Sequence, residues 1–182
     1  GGSGGPWNLV GPGGRGGRPR PLVVRGGGPL APAAGGSGLV AACDIAIAAD
    51  EATFAVSEVR IGVIPAVISV VLLRKLAPHV AMELFLTGEP FSAAAAVAHG
   101  LLNRAVPAEG LGALTESYID KILKGAPGAL AGAKRLVREV PAMAMSPAFE
   151  AMANLSAQYF ASPEALEGMT AFAEKRAPSW SV

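Results

Sequence analysis
The sequence predicts an α/β layer that passes into a helical C-terminal subdomain, and three observations carry that prediction. Between residues 39 and 106, short segments with β-branched residues at alternate positions are interspersed with helix-forming runs. From residue 111 onward apolar residues recur at three- and four-residue spacing, the period of an amphipathic helix. The composition is 51% hydrophobic but only 5% aromatic, so Ala and small aliphatic residues must build the core, which suits close helix packing. The length of 182 residues fits one such domain.

Composition divides the chain into three stretches. Residues 1–40 hold 15 of the 24 Gly and 6 of the 15 Pro, and their four charges are all Arg: Arg15, Arg18, Arg20 and Arg25. Such chain cannot bury enough apolar surface to offset its conformational entropy, so residues 1–18 are expected to be disordered. A partial α/β core is expected over 19–110 and the helical subdomain over 111–182.

The elements follow in order. Pro21-Leu-Val-Val24 reads as a strand, and Leu39-Val-Ala-Ala-Cys43 as a short apolar helix opened by the small residues 34–38. In Asp44-Ile-Ala-Ile-Ala48, Ile45 and Ile47 share a face of a strand, and Thr53-Phe-Ala-Val56 forms a second. Residues 59–64 continue as irregular buried chain. Ser69 is expected to cap a helix to Leu76, and Pro78 suits the first turn of another running to about Leu86. After the turn Thr87-Gly-Glu-Pro90, Ser92 caps a helix from Ala93 to His99 that Gly100 ends in a left-handed conformation, and 101–106 is a strand. Four helices follow. Leu111, Leu114, Tyr118 and Ile122 line the first, which stops at Gly125, and Leu130, Ala133, Leu136, Val137 and Val140 line the second. Ser146-Pro147 opens the third, and Ser162-Pro-Glu164 opens the last, with Leu166, Met169 and Phe172 facing inward and Pro178 closing it.

Several function classes are excluded. The formal charge is +1, and residues 44–182 carry 11 basic and 14 acidic side chains, so no basic face for nucleic acid is expected. One cysteine excludes a disulfide framework, and with two histidines it argues against a metal site. No run of 18 apolar residues exists to span a membrane, and the first residues lack the pattern of a signal peptide. A soluble cytoplasmic domain is expected.

Four features bear on chemistry. The run Ala34-Gly-Gly-Ser-Gly-Leu39 at a helix start is either a tight turn or a set of free N–H groups facing an anion. One such donor to a developing oxyanion lowers a barrier by roughly 3 kcal/mol. The same run reads loosely as a dinucleotide fingerprint, Gly36-x-Gly38-x-x-Ala41 with Glu58 about twenty residues on, but that fingerprint needs a strand directly before it. Glu58 lies in an apolar stretch, where a carboxylate either pairs with a cation such as Arg60 or sits in a pocket ready to move protons. His79 and His99 stand on different helices without an acid or Cys at ligand spacing and read as structural, as does Cys43. Lys175 and Arg176 either suit a helix C-terminus or meet phosphate groups.

Taken in order, Ala34-Gly-Gly-Ser-Gly-Leu-Val-Ala-Ala-Cys-Asp44, Ala52-Thr-Phe54 and Ser57-Glu-Val-Arg-Ile-Gly-Val-Ile-Pro65 resemble the crotonase family, the enoyl-CoA hydratases and isomerases. Leu86-Thr-Gly88, Phe91-Ser-Ala93, Gly100-Leu-Leu-Asn103 and the ending Glu167-Gly-Met to Glu174-Lys-Arg176 extend the resemblance over about residues 19–180. It implies a spiral of ββα units, with a helical region that builds homotrimers often paired into hexamers. It implies acyl-CoA thioester substrates, with coenzyme A part of the substrate and no separate cofactor. In that family two backbone N–H groups hold the thioester oxygen as an enolate forms. Gly35 stands where one of those donors belongs, Glu58 aligns with the acid/base carboxylate, and Ala34, Gly36, Pro65, Ala66 and Lys175 fall at substrate-binding positions.

The sequence also departs from the family pattern. Nothing in residues 1–18 resembles the upstream half that supplies the other oxyanion donor, so the core is expected to be N-terminally incomplete. The link from Gly28 to Gly35 is two residues longer than expected, and Ala66-Val-Ile-Ser69 stands where many members have a Gly-rich turn. Gly38 occupies the place where many hydratases carry a second Glu. Hydration divides easily between two carboxylates, whereas moving a double bond from position 3 to position 2 needs one base. The expected activity is that of an enoyl-CoA hydratase using Glu58. The alternatives are a Δ3-Δ2-enoyl-CoA isomerase and an inactive truncated family member that acts as an assembly partner.

Overall fold
Strands of two to four residues alternate with short helices in the computed structural model, which describes residues 7–10, 23–26 and 34–181. The described residues form two compact units that divide between Thr115 and Glu116.

In the first unit, β1 (Trp7–Val10) pairs antiparallel with β2 (Val23–Gly26), Trp7 opposite Gly26 and Val10 opposite Val23. Strand β1 falls inside the stretch 1–18 expected to be disordered: Trp-Asn-Leu-Val is an apolar, strand-forming island within the Gly-rich chain, and it finds a partner. The rest of that expectation lies outside the described residues, as do Pro21 and Leu22 of the expected strand. Helix α1 spans Ala34–Ala42, so the small residues expected to precede the helix form its first turns. Next come β3 (Ile47–Ala49), parallel to β6 (Arg104–Val106), and β4 (Thr53–Phe54), antiparallel to β5 (Phe91–Ser92). Strand β3 starts three residues later than the alternation predicts, because the backbone of Ala46 is engaged elsewhere. Its N–H donates to Asn103 Oδ1 at 2.8 Å, and its carbonyl accepts from Asn103 N–H at 2.7 Å.

Helix α2 spans Ala66–Leu72, starting after Pro65 and not at Ser69, whose hydroxyl donates back to the Ala66 carbonyl at 2.7 Å. Residues 60–64, expected to be buried, are exposed, Ile61 by 79% and Ile64 by 75%. Helices α3 (Pro78–Thr87) and α4 (Ala93–Ala98) begin where Pro78 and Ser92 predict, with Ser92 Oγ accepting from Ala95 N–H and Gly100 left-handed at φ 80°. The core gathers Val40, Phe54, Val56, Leu72, Leu76, Leu84 and Leu101 around Ala41, Ala46, Ala48, Ala93 and Ala96. Those alanines let elements approach closely, as the composition implies.

Helix α5 (Leu111–Leu123) leads into the second unit, which holds α6 (Pro127–Glu139), α7 (Met145–Phe160) and α8 (Pro163–Ala173). Glu164, in the first turn of α8, accepts the Gly128 N–H at 3.0 and 2.9 Å, placing a carboxylate at the positive N-terminus of α6. Ser162 Oγ caps α8 through Ala165 N–H. The inward face assigned to α8 is corrected: Leu166, Met169 and Phe172 are exposed, Phe172 by 87%, as are Leu136 and Val137 of α6. Their periodicity marks an apolar face that the described residues do not cover. No helix among the described residues is long and apolar enough to cross a membrane.

Candidate active site
Ala34, Gly35 and Gly36 form the first turn of α1. The first N–H groups of any α-helix have no acceptor within it, and the helix dipole adds positive potential there. Two contacts fix this end of α1. Gly38 is buried against α2, where a β-carbon would fall 2.6 Å from Ile68 Cγ2, so only glycine allows the two helices this approach. Ser37, 1% exposed, donates its hydroxyl to the carbonyl of Ala55 at 2.9 Å.

Ala55 belongs to the buried irregular chain leaving β4, and three residues later that chain winds into a 3-10 turn, Glu58–Ile61, that Glu58 opens. Gly62, left-handed at φ 78°, closes the turn, its N–H donating to Val59 O, while Val63 N–H donates to Glu58 O. The Glu58 side chain is half-buried, and its Oε2 is shut away from solvent without a hydrogen-bond partner among the described residues. The cation two residues on does not serve it. Arg60 Nη2 pairs with Glu89 Oε1, and Nε and Nη2 both donate to Thr87 O at 3.3 Å, across the C-terminus of α3. Of the two readings of Glu58, the ion pair with Arg60 is therefore absent. A buried, unsatisfied carboxylate oxygen is costly and uncommon, and reactive sites are one of the few places where it persists.

Pro65 is buried at the start of α2 and Ala66, its first residue, is exposed. The first unit thus holds Ala34, Gly35, Gly36, Glu58, Pro65 and Ala66 on three segments joined by the Ser37–Ala55 and Gly38–Ile68 contacts. Lys175 lies in the second unit, one residue beyond the C-cap of α8, with a left-handed φ of 54°. Its neighbour Arg176 is committed within the chain. It grips both oxygens of Glu167 at 2.8 and 3.0 Å and reaches Glu174 at 2.6 Å.

His79 is exposed, and His99 meets the Phe91 ring edge-on at 6.2 Å. Cys43 is buried, and burial pushes its thiol up to about 11, with Lys75 pulling down and Asp44 pushing up less strongly. Lys75 Nζ donates to the Cys43 carbonyl at 2.7 Å, just past the C-terminus of α1, and burial holds that ammonium below its usual range. No cluster of three or more His, Cys, Asp or Glu able to hold a metal occurs among the described residues. The dinucleotide reading needs a strand leading directly into α1, and residues 27–33 before that helix lie outside the described residues. Sequence reasoning did not single out Ser37; the available signal was a hydroxyl among small apolar residues inside a helix.

Residues 24–182 match the family profile described as enoyl-CoA hydratase/isomerase. The enoyl-CoA hydratase domain-containing protein 3, mitochondrial, of Homo sapiens is 36% identical over 150 residues, 82% of this chain and 49% of that protein. The carnitinyl-CoA dehydratase of Proteus mirabilis is 34% identical over 151 residues, 80% of this chain and 58% of that protein. Among solved structures, an enoyl-CoA hydratase of Mycobacterium smegmatis superposes with a TM-score of 0.78 at 35% identity, covering 89% of this chain and 62% of that one. The chain thus spans about half to three-fifths of the length of these relatives.

Proposed function
The chain belongs to the enoyl-CoA hydratase/isomerase family and has its crotonase fold, and from that premise we propose that it carries the proton-transfer half of a hydratase site for acyl-CoA thioesters. The observation that carries this reading is the buried Oε2 of Glu58, without a hydrogen-bond partner among the described residues, three residues beyond the Ala55 carbonyl held by Ser37 of α1. In this reading the thioester oxygen accepts a hydrogen bond from the Gly35 N–H, where the α1 dipole favours the negative charge of an enolate. Glu58 takes the proton that water gives up as its oxygen bonds to the β-carbon, then hands a proton to the α-carbon of the enolate to leave the 3-hydroxyacyl thioester, and reverses both transfers in dehydration. Ala34, Gly36, Pro65 and Ala66 flank the bound acyl group.

Replacing Glu58 with Gln keeps the shape and removes the base. Turnover of a short 2-enoyl-CoA should fall by about 10²- to 10⁴-fold, with an unchanged circular dichroism spectrum and retained thioester binding. Equal turnover in the variant would overturn the assignment. A folded chain that neither binds nor turns over the thioester would point to the inactive assembly role.

One observation favours the isomerase as a second reading. With Ile68 pressed against Gly38, no second carboxylate fits at that position of α1, and double-bond migration needs only one base. Conversion of a 3-enoyl-CoA without hydration of the 2-enoyl isomer would select it. We also propose homotrimeric or hexameric assembly, supported by the exposed Phe149, Phe160 and Phe172 on α7 and α8. Light scattering of the purified chain tests it, and a monomer at micromolar concentration would exclude it.

A further inference from the structure
We propose that Ser37 is a positioning residue for the proton transfer assigned to Glu58, an inference that rests on the function proposed above. A hydroxyl gains nothing from the interior of a helix, where serine competes with the backbone for hydrogen bonds. Ser37 nevertheless sits in α1 at 1% exposure and donates not to its own helix but to Ala55 O, eighteen residues on in sequence, at 2.9 Å. Ala55 is fully buried and lies just beyond β4, whose pairing with β5 ends at Phe54, so its carbonyl has left the sheet ladder. The Ser37 hydroxyl takes the place of a ladder partner.

The hydrogen bond has a functional residue on each side. Gly35 is two residues upstream of Ser37 within one helical turn, and Glu58 is three residues downstream of Ala55, so each lies within about 10 Å of chain from the bond. Two further restraints on α1 act elsewhere. Ile68 fixes its distance from α2, and the Lys75 ammonium holds the carbonyl beyond its C-terminal end. Ser37 alone, among the hydrogen bonds of the described α1 side chains, ties the helix to the segment that carries Glu58. A donor and a base that act on one acyl group depend on such registration, since a misplacement of about 1 Å costs on the order of 100-fold in rate.

The test compares Ser37→Ala, Ser37→Thr and Ser37→Cys in the full chain, beside Glu58→Gln, with a short 2-enoyl-CoA as substrate. Loss of the hydroxyl should lower kcat per folded molecule about 10- to 100-fold with KM within about threefold. Threonine should restore kcat, and cysteine, a weak donor of similar size, should fall between. The red shift of a bound, conjugated enoyl-CoA, which reports polarisation of its carbonyl, should shrink in Ser37→Ala. A merely structural role would instead lower the melting temperature and leave both kcat per folded molecule and the red shift intact, and that result overturns the proposal. Turnover lost in Glu58→Gln but untouched in Ser37→Ala removes the role of Ser37 alone. Turnover untouched in Glu58→Gln removes the proposed function, and the role of Ser37 with it.

Discussion
Gly38 of α1 and Ile68 of α2 approach so closely that a β-carbon on Gly38 would lie 2.6 Å from Ile68 Cγ2 and 3.2 Å from its Cβ. Those atoms sit at the root of a branched side chain and cannot swing aside as the end of a long one would. Gly38→Ala should gain about 1 kcal/mol in helix propensity, against an overpacking cost of about 1–3 kcal/mol. The expected net result in urea unfolding is a loss of about 1 kcal/mol. Ile68→Ala should relieve it, so that the double variant is more stable than the sum of the two single changes by at least about 1 kcal/mol. Strict additivity would show that the helices part freely at this point.

The same pair shows what the sequence could and could not convey. Local punctuation was readable: Pro78, Ser92, Gly100 and Ser162 each start or end a helix where their chemistry places them. Misplaced boundaries trace to partners distant in sequence. Asn103 takes up the backbone of Ala46 and delays β3, and Arg60 answers Glu89 and Thr87, not the carboxylate two residues away. Apolar periodicity identified the helices but not what their faces meet, since Leu166 is 64% and Phe172 87% exposed. Glu58 was therefore legible as a candidate from its apolar context, while the contacts that decide between ion pair and reactive group, and the Ser37 tie beneath it, are tertiary.

Cys43 offers a second test. Its thiol, pushed up to about 11 by burial, presents a thiolate fraction of only about 10⁻³ at pH 8, against roughly a quarter for a free cysteine. Since it is the only cysteine in the sequence, alkylation reports on it alone. Iodoacetamide at pH 8 should modify the native chain at least about 100-fold more slowly than the urea-unfolded chain, as read by intact mass. Comparable rates would mean that the segment joining α1 to β3 opens readily.

The chain end after α8 should respond to acid through Glu167. Its Oε1 accepts from Arg176 Nη1 and from Ser179 N–H, both at 2.8 Å, and Oε2 accepts from Arg176 Nη2 at 3.0 Å. The Arg176 fork first, then the Ser179 N–H, hold this carboxyl down at about 2 from an ordinary value of 4.5. A carboxyl with a depressed folded-state value contributes its stabilisation fully above 4.5 and loses it as the pH falls through about 2. The same segment carries Trp180, whose ring lies over Gly168 and whose Nε1 donates to Lys124 O at 3.3 Å. With Trp7→Phe to isolate its signal, Trp180 fluorescence should remain native at pH 5 and shift to a solvated emission between about pH 4.5 and 2. Glu167→Gln, which cannot hold the guanidinium as an ion pair, should show part of that shift at neutral pH. A transition centred above pH 5, or a Glu167→Gln spectrum identical to the parent, would mean that this carboxylate does not fasten the C-terminal segment.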